Sequence, residues 1–112
     1  MSTNPAPRTV CVDFDGVLAD YHGWKNEKTL DPPYPGALEF CNKVVAAGYA
    51  LVVHTTRSSP RIYDWLAAYG FPPCTVAERK PKALVYIDDR AFRFTGDWTD
   101  AWQAITLKTH WE

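Results

Sequence analysis

Two carboxylates, Asp13 and Asp15, stand at the end of a hydrophobic segment, in the stretch TVCVDFDGVLADY at residues 9–21. Partly desolvated carboxylates that lie close together repel each other and lose hydration free energy. They are therefore either solvated in a turn or brought together for a cation and a reaction. Because residues i and i+2 of a strand share a face, both side chains could address one ligand, and Gly16 would let the chain turn sharply after them.

Polar side chains follow two further apolar segments. Thr55 and Thr56 end the segment that begins YALVV, and Asp88 and Asp89 follow ALVYI. If these segments are parallel strands, all of these side chains meet beyond the carboxyl ends of the strands, where such sheets bind ligands. Hard carboxylate and carbonyl oxygens favour Mg²⁺ over zinc or copper. A threonine hydroxyl and an ammonium from Lys80 or Lys82 would complete a site for a phosphoryl group.

The elements that must position these residues alternate along the chain. Strands are predicted at residues 9–14, 49–55, 74–78 and 83–87, and helices at about residues 35–47, 60–69 and 99–105. This alternation predicts an α/β fold, a three-layer α/β/α sandwich with a mainly parallel, Rossmann-like sheet. The strand of Asp13 is expected to lie centrally, between the strands that lead to Thr55 and Asp88. Trp98 and Trp102, four residues apart, are expected in the core.

Composition limits the function classes. The 112 residues, 46% of them hydrophobic, fit a flexible tail at residues 1–8 and one domain at residues 9–112. A net charge of -1 predicts no strong general binding of nucleic acid, and no apolar run has the length of a membrane span. The three cysteines are odd in number and without a CxxC spacing, which indicates free thiols in a reducing compartment, expected to be the cytoplasm.

Four segments carry a family resemblance. In order along the chain, DFDGV, VVHTTR, KPK and YIDDR resemble the four motifs of the haloacid dehalogenase-like hydrolase superfamily, over about residues 9–95. The resemblance implies a Mg²⁺-dependent phosphatase that works through an aspartyl-phosphate intermediate. The presence of a second aspartate in the first motif implies a phosphatase, because family members that cleave carbon–halogen bonds lack a carboxylate there.

The resemblance also implies a role for each matching position. The catalytic residues would be the nucleophile Asp13, the acid and base Asp15, the phosphoryl-binding Thr55, and Lys80, for which Lys82 is a rival. The metal would be held by Asp13, Asp88 and Asp89 and by the backbone carbonyl of Asp15. Gly16, Thr56 and Arg57 are assigned to substrate binding, although Arg57 could equally be a solvated arginine near a helix start.

The spacing of the motifs predicts that the domain has no cap. Residues 18–34 are too few for a folded cap, and residues 56–79 are taken up by one helix and one strand. The site would then be open, which suits a nucleotide, a sugar phosphate or a terminal phosphate of a nucleic acid, and a homo-oligomer could cover it. Tyr21, His22 and Trp24, in the loop after the first motif, could stack on a substrate or pack within the domain. His54 is interpreted as a strand residue satisfied by packing.

Two other functions stay open. A phospho-acceptor receiver domain also pairs carboxylates with a threonine and a lysine around Mg²⁺. It places its acidic pair first and its acceptor on a middle strand, whereas here the DxD comes first and the DD last. A non-catalytic relative that only binds a phosphorylated ligand is the third possibility, and the filled catalytic positions argue against it.

Overall fold

The computed structural model describes residues 8–23, 25–26 and 30–107. Most of the expected tail at residues 1–8, and Trp24, lie outside the described residues. The elements are β1 Thr9–Asp13, α1 Ala37–Ala46, β2 Ala50–His54, α2 Ser59–Ala68, β3 Thr75–Ala77, β4 Val85–Ile87 and α3 Trp98–Leu107. Each predicted helix and strand is present, with ends that differ by up to two residues. Residues 92–97 contain no strand and lead directly into α3.

The four strands form one parallel sheet in the order β3-β2-β1-β4. The expected α/β fold with a parallel, Rossmann-like sheet is confirmed, as is the central place of β1. In the register of the sheet Asp13 lies opposite His54, and Val12 lies opposite Ile87. Because the strands run the same way and end at the same level, the residues that come after β1, β2 and β4 emerge at one edge of the sheet.

The core lies between the sheet and the helices α1 and α2, and it anchors the first motif from beneath. Phe14, between the two aspartates, is 1% exposed and meets the ring of Trp65 edge to face, with 4.8 Å between ring centroids. The indole N–H of Trp65 donates to the carbonyl of Asp31 at 2.9 Å, and its ring stacks on Phe71 at 5.2 Å. Because the side chain of Phe14 points into the core, the neighbouring side chains of Asp13 and Asp15 point the other way and are partly exposed.

Helix α3 departs from the expectation. Trp98 and Trp102 were predicted in the core, but they are 75% and 64% exposed, and α3 has no buried residue. Val85 and Tyr86 of the neighbouring strand β4 are also exposed. The prediction was wrong because helical spacing shows which residues share a face, whereas it cannot show whether another element covers that face.

No cap domain occurs among the residues that the structure describes. The described part of the segment between β1 and α1 contains single bridges from Ala19 to Asp15 and to Pro33, and neither a helix nor a strand. Between β2 and β3 the chain contains α2 and its connections. Within the same described ranges, no helix is both long enough and apolar enough to cross a membrane.

The cysteines give a test of the packing. All three are free; Cys41 is fully buried on the core-facing side of α1, and burial, with a smaller contribution from Cys74, raises the pKa of the Cys41 thiol to about 11. With this pKa only about 10⁻³ of Cys41 is ionised near pH 8, and the thiolate is the reactive form.

We expect Cys74, which is half-buried, to react with a maleimide well before Cys41, as read by mass mapping of timed samples. All three should react in urea, and fast labelling of Cys41 in the native protein would contradict this packing.

Candidate functional site

Three carboxylates meet at the carboxyl edge of the sheet. Asp13 is the last residue of β1, and Asp88 and Asp89 directly follow β4. One oxygen from each lies within 4.8 Å of the others, so the three could hold a metal ion together. The side chain of Asp15 does not belong to this acidic cluster, and only its backbone carbonyl was expected to bind metal. The cluster brings together residues that are 76 positions apart in sequence.

Asp13 and Asp88, the two less exposed carboxylates of the acidic cluster, have pKa shifts in opposite directions. Burial raises the pKa of Asp13, and the nearby Asp88 adds to this, while a hydrogen bond with His54 opposes it. Burial alone would raise the pKa of Asp88, but hydrogen bonds from Lys80 and from the Arg90 N–H outweigh it and hold that pKa well below its usual range. The Lys80 Nζ lies 2.8 Å from Asp88, and the Arg90 nitrogen 2.7 Å. Of these two, Asp13 is the one whose ionised form its surroundings disfavour, so a bound cation would stabilise that ionised form.

The structure separates the two candidate lysines. Lys80 is 37% exposed at its side chain and pairs with Asp88, and this hydrogen bond raises the pKa of Lys80. Lys82 is exposed, and among the contacts described for this part of the chain none joins it to the acidic cluster. Lys80 is thus the lysine that lies at the acidic cluster.

A matched pair of variants tests this assignment. If the site hydrolyses a phosphomonoester, as the family resemblance predicts, replacing Lys80 with alanine should lower turnover by about 10²–10³-fold, the usual cost of losing one charged or hydrogen-bonding group that stabilises a transition state. Replacing Lys82 with alanine should leave turnover within about threefold of wild type, because a solvated lysine contributes little. Steady-state kinetics on both variants would decide, and equal losses in the two would refute the assignment.

His54 is a site residue that the sequence reasoning missed. Its Nδ1 lies 2.9 Å from Asp13 Oδ1, and its Nε2 lies 3.1 Å from the carbonyl oxygen of Glu78. Since a carbonyl can only accept, Nε2 carries a hydrogen, and the contact with Asp13 needs a second proton, on Nδ1 or on the carboxylate. The interpretation of His54 as satisfied by packing is therefore wrong. Its place at the end of β2, opposite the end of β1, was the available signal.

The loop after β2 carries Thr55, whose hydroxyl was predicted to bind a phosphoryl group. Thr55 is buried, its N–H donates to the Ala77 carbonyl at 3.0 Å, and its Oγ1 accepts the Arg57 N–H at 3.0 Å. Because the oxygen accepts that bond, the hydroxyl hydrogen can still be donated to a ligand. Thr56 is exposed beside it. Ser58 holds the N-cap position of α2, so neither threonine is the N-cap of this helix.

Arg57 is not solvated. Its side chain is 3% exposed, and its Nε donates to Asp15 Oδ2 at 2.9 Å. Its Nη1 donates to the carbonyl of Asn26 at 3.2 Å. The guanidinium expected at the substrate thus contacts the residue expected to act as acid and base.

Gly16 lets the two motifs approach each other. Its φ of 84° lies in the left-handed region, and a Cβ at this position would collide with the carboxylate of Asp89. A side chain here would strain the turn and displace a member of the acidic cluster. The structure therefore gives Gly16 a steric role, and its expected contact with substrate stays a prediction.

A small cleft opens beside the acidic cluster. Its volume is about 140 Å³, and it is lined by Asp13, Phe14, Asp15, His54, Thr55 and Thr56. A second cleft of about 260 Å³ shares the two threonines and extends past the start of α2. The smaller one has room for a phosphoryl group and little more. Of the loop residues proposed to flank the entrance, Tyr21 is half-buried and His22 is exposed, and their contact with substrate stays untested.

Comparisons of this chain with protein-family models, with curated proteins and with solved structures each found no match.

Proposed function

We propose that this protein is a Mg²⁺-dependent phosphomonoesterase of the haloacid dehalogenase-like type, with Asp13 as the nucleophile. The observation that carries the proposal is the convergence of Asp13, Asp88 and Asp89, with Lys80 paired to the cluster. Thr55 and Asp15 line the adjoining cleft. The groups that the four-motif resemblance assigns to catalysis and metal binding therefore lie together at one edge of the sheet. They are the proposed nucleophile, acid, hydroxyl, lysine and metal-binding carboxylates.

The donor set of the acidic cluster fits Mg²⁺. It consists of carboxylate oxygens, without a thiolate or imidazole among its members, and such hard donors suit a hard cation. Asp13, Asp88, Asp89 and the backbone carbonyl of Asp15 would hold the ion. When bound, Mg²⁺ offsets the negative charge of the carboxylates and of the substrate phosphoryl group.

The residues then divide the reaction between them. A carboxylate oxygen of Asp13 attacks phosphorus and forms an aspartyl phosphate, while the bond from phosphorus to the ester oxygen breaks. Asp15 gives its proton to that leaving oxygen. Asp15 next takes a proton from water, the water oxygen attacks phosphorus, and inorganic phosphate leaves Asp13 free.

Thr55 and Lys80 stabilise the charge of the transition state and form no covalent bond in the reaction. Phosphoryl transfer has a loose transition state that needs positioning and charge neutralisation more than covalent help. The Thr55 hydroxyl can donate to a phosphoryl oxygen, and the Lys80 ammonium, fixed by Asp88, neutralises the nucleophile and the phosphoryl group. His54, bonded to Asp13 Oδ1, leaves Oδ2 as the oxygen able to attack.

The substrate is proposed only by class. A phosphorylated nucleotide, sugar or nucleic-acid end could reach an open site, and the net charge of -1 supplies no general attraction to nucleic acid. A homo-oligomer that covers the site and a cytoplasmic location, inferred from the free cysteines, belong to the same proposal.

The test is phosphate release from a panel of phosphomonoesters, measured with Mg²⁺ and with chelator. The panel holds aryl phosphates, nucleotides, sugar phosphates and oligonucleotides with 3′- or 5′-phosphates. Release that requires the metal and is lost in Asp13→Asn is the expected result. A stable phospho-aspartate without turnover would instead indicate a receiver-like module. Ligand binding without hydrolysis across the panel would indicate a binding protein.

A further inference from the structure

We infer that Arg57 is the positioning residue of the acid Asp15, and that it acts through its Nε–H rather than by binding the substrate phosphate. This inference rests on the proposed function and goes beyond it, because the family resemblance assigned Arg57 to the substrate. It names the atom that holds the acid in place.

The burial of the guanidinium supports this assignment. The Arg57 side chain is 3% exposed, whereas the carboxylate of Asp15 is 30% exposed. The acid can therefore reach a ligand in the cleft, while the arginine lies behind it. An arginine that bound the substrate phosphate would have to offer its donors to the solvent side of the site.

The contacts of the guanidinium fix its orientation. Nε donates to Asp15 Oδ2 at 2.9 Å, and Nη1 donates to the Asn26 carbonyl at 3.2 Å. The backbone N–H of the same residue is held by Thr55 Oγ1 at 3.0 Å. Because the planar guanidinium is bonded on two sides, it cannot turn without breaking a buried hydrogen bond.

The bond to Oδ2 determines which oxygen moves the proton. Oδ2 accepts from Nε, so the proton that passes to the leaving group, and later comes from water, is carried by Oδ1. A lost or displaced Nε–H would let the carboxyl group rotate, and general acid catalysis depends on this geometry. The loss should therefore be largest for substrates whose leaving group needs a proton.

Two substitutions separate the position of the donor from its charge. In Arg57→Gln the amide nitrogen is as many bonds from the backbone as Nε, so it can donate to Asp15 without a charge. In Arg57→Lys the charge is kept, but a carbon takes the place of Nε and the ammonium lies one bond further out. Positioning therefore predicts that glutamine is the better replacement, and phosphate binding predicts lysine.

The experiment compares kcat/KM for phenyl phosphate, whose leaving group needs a proton, with that for 2,4-dinitrophenyl phosphate, whose leaving group does not. Arg57→Lys should lose about 10–100-fold on phenyl phosphate, a part of what a positioned acid contributes, and less than about threefold on the dinitrophenyl ester. Arg57→Gln should lose at least about fivefold less than Arg57→Lys on phenyl phosphate. Arg61→Lys on the same helix is the control.

Each outcome has one meaning. Equal losses on the two esters, or lysine better than glutamine, would overturn the inference while the phosphatase proposal stands. A wild-type protein that releases phosphate from neither ester, nor from any other member of the phosphomonoester panel, would end both proposals. If a variant at Arg57 does not fold, as shown by circular dichroism, the leaving-group comparison is made on the folded one alone, where glutamine must preserve and lysine must lose the selective rate on phenyl phosphate.

Discussion

Replacing Asp13 with asparagine should abolish phosphate release while the protein keeps its fold. The amide has no negative charge and is a poor nucleophile, so the aspartyl phosphate cannot form. We expect at least about a 10³-fold loss of kcat/KM, equivalent to roughly 4 kcal/mol of transition-state stabilisation. Phosphate release from the best substrate of the panel, with saturating Mg²⁺, is the measurement. Asp64→Asn, on the exposed side of α2, is the matched control and should retain wild-type turnover.

The same variant should be at least as stable as wild type when a chelator is present. Burial raises the pKa of Asp13 in the folded protein above its unfolded value of about 3.9. The contribution of such a group to stability is present below that pH and is lost as pH rises through the folded pKa. Asparagine has no charge to desolvate and can still accept from His54. The unfolding temperature of Asp13→Asn relative to wild type should therefore rise as the pH increases from about 4 through the folded pKa of Asp13.

The turnover and the unfolding temperature of Asp13→Asn test different parts of this prediction. Appreciable turnover in Asp13→Asn would remove Asp13 as the nucleophile. A large drop in unfolding temperature in chelator would show instead that the Asp13 carboxylate stabilises the fold, and the loss of activity could then not be assigned to chemistry.

Replacing Asp88 with asparagine should weaken metal binding and turnover together. Asp88 belongs to the acidic cluster and is kept ionised by Lys80 and the Arg90 N–H. Groups that only support a metal ligand typically contribute 10–100-fold to metal affinity, so loss of a ligand should cost at least about this much. The direct measurement is the rise in unfolding temperature with added Mg²⁺, which reports binding to the native state whether or not a substrate is known.

The Asp88 variant should also differ from wild type in its pH dependence. Because the pKa of Asp88 is held below its unfolded value, its contribution to stability is present above about pH 4 and is lost as pH falls through the folded pKa. Wild type in chelator should therefore lose more stability on acidification than Asp88→Asn does. Asp64→Asn, on the exposed side of α2, controls for the loss of one surface carboxylate. An unchanged response to Mg²⁺ in Asp88→Asn would exclude Asp88 as a metal ligand.

The sequence alone was sufficient to predict the fold class and the place of the acidic cluster. Continuous apolar segments that alternate with helical ones require a parallel sheet, and such a sheet brings the residues at the carboxyl ends of its strands to one edge. Asp13 and Asp88 could therefore be placed together from sequence. The helix ends were also predictable to within two residues, since Pro and Gly at residues 35, 48, 60 and 70 mark them locally.

Contacts between side chains could not be predicted in the same way. The choice of Lys80 over Lys82, the bond from His54 to Asp13 and the pairing of Arg57 with Asp15 each depend on how loops between strands turn. A shift of one residue in such a loop would exchange one partner for another while leaving the sequence pattern unchanged. The pattern of α3 likewise indicated an apolar face without indicating that the face is exposed.

The sequence by itself thus determined which chemical groups reach the edge of the sheet, because hydrophobic periodicity and chain direction are properties of single segments. Only the tertiary structure decided which group touches which, because a hydrogen bond requires two segments to approach within about 3 Å in the correct orientation. Arg57 shows the difference most clearly: its residue type suggested a phosphate ligand, whereas in the structure its side chain is buried against the carboxylate of Asp15.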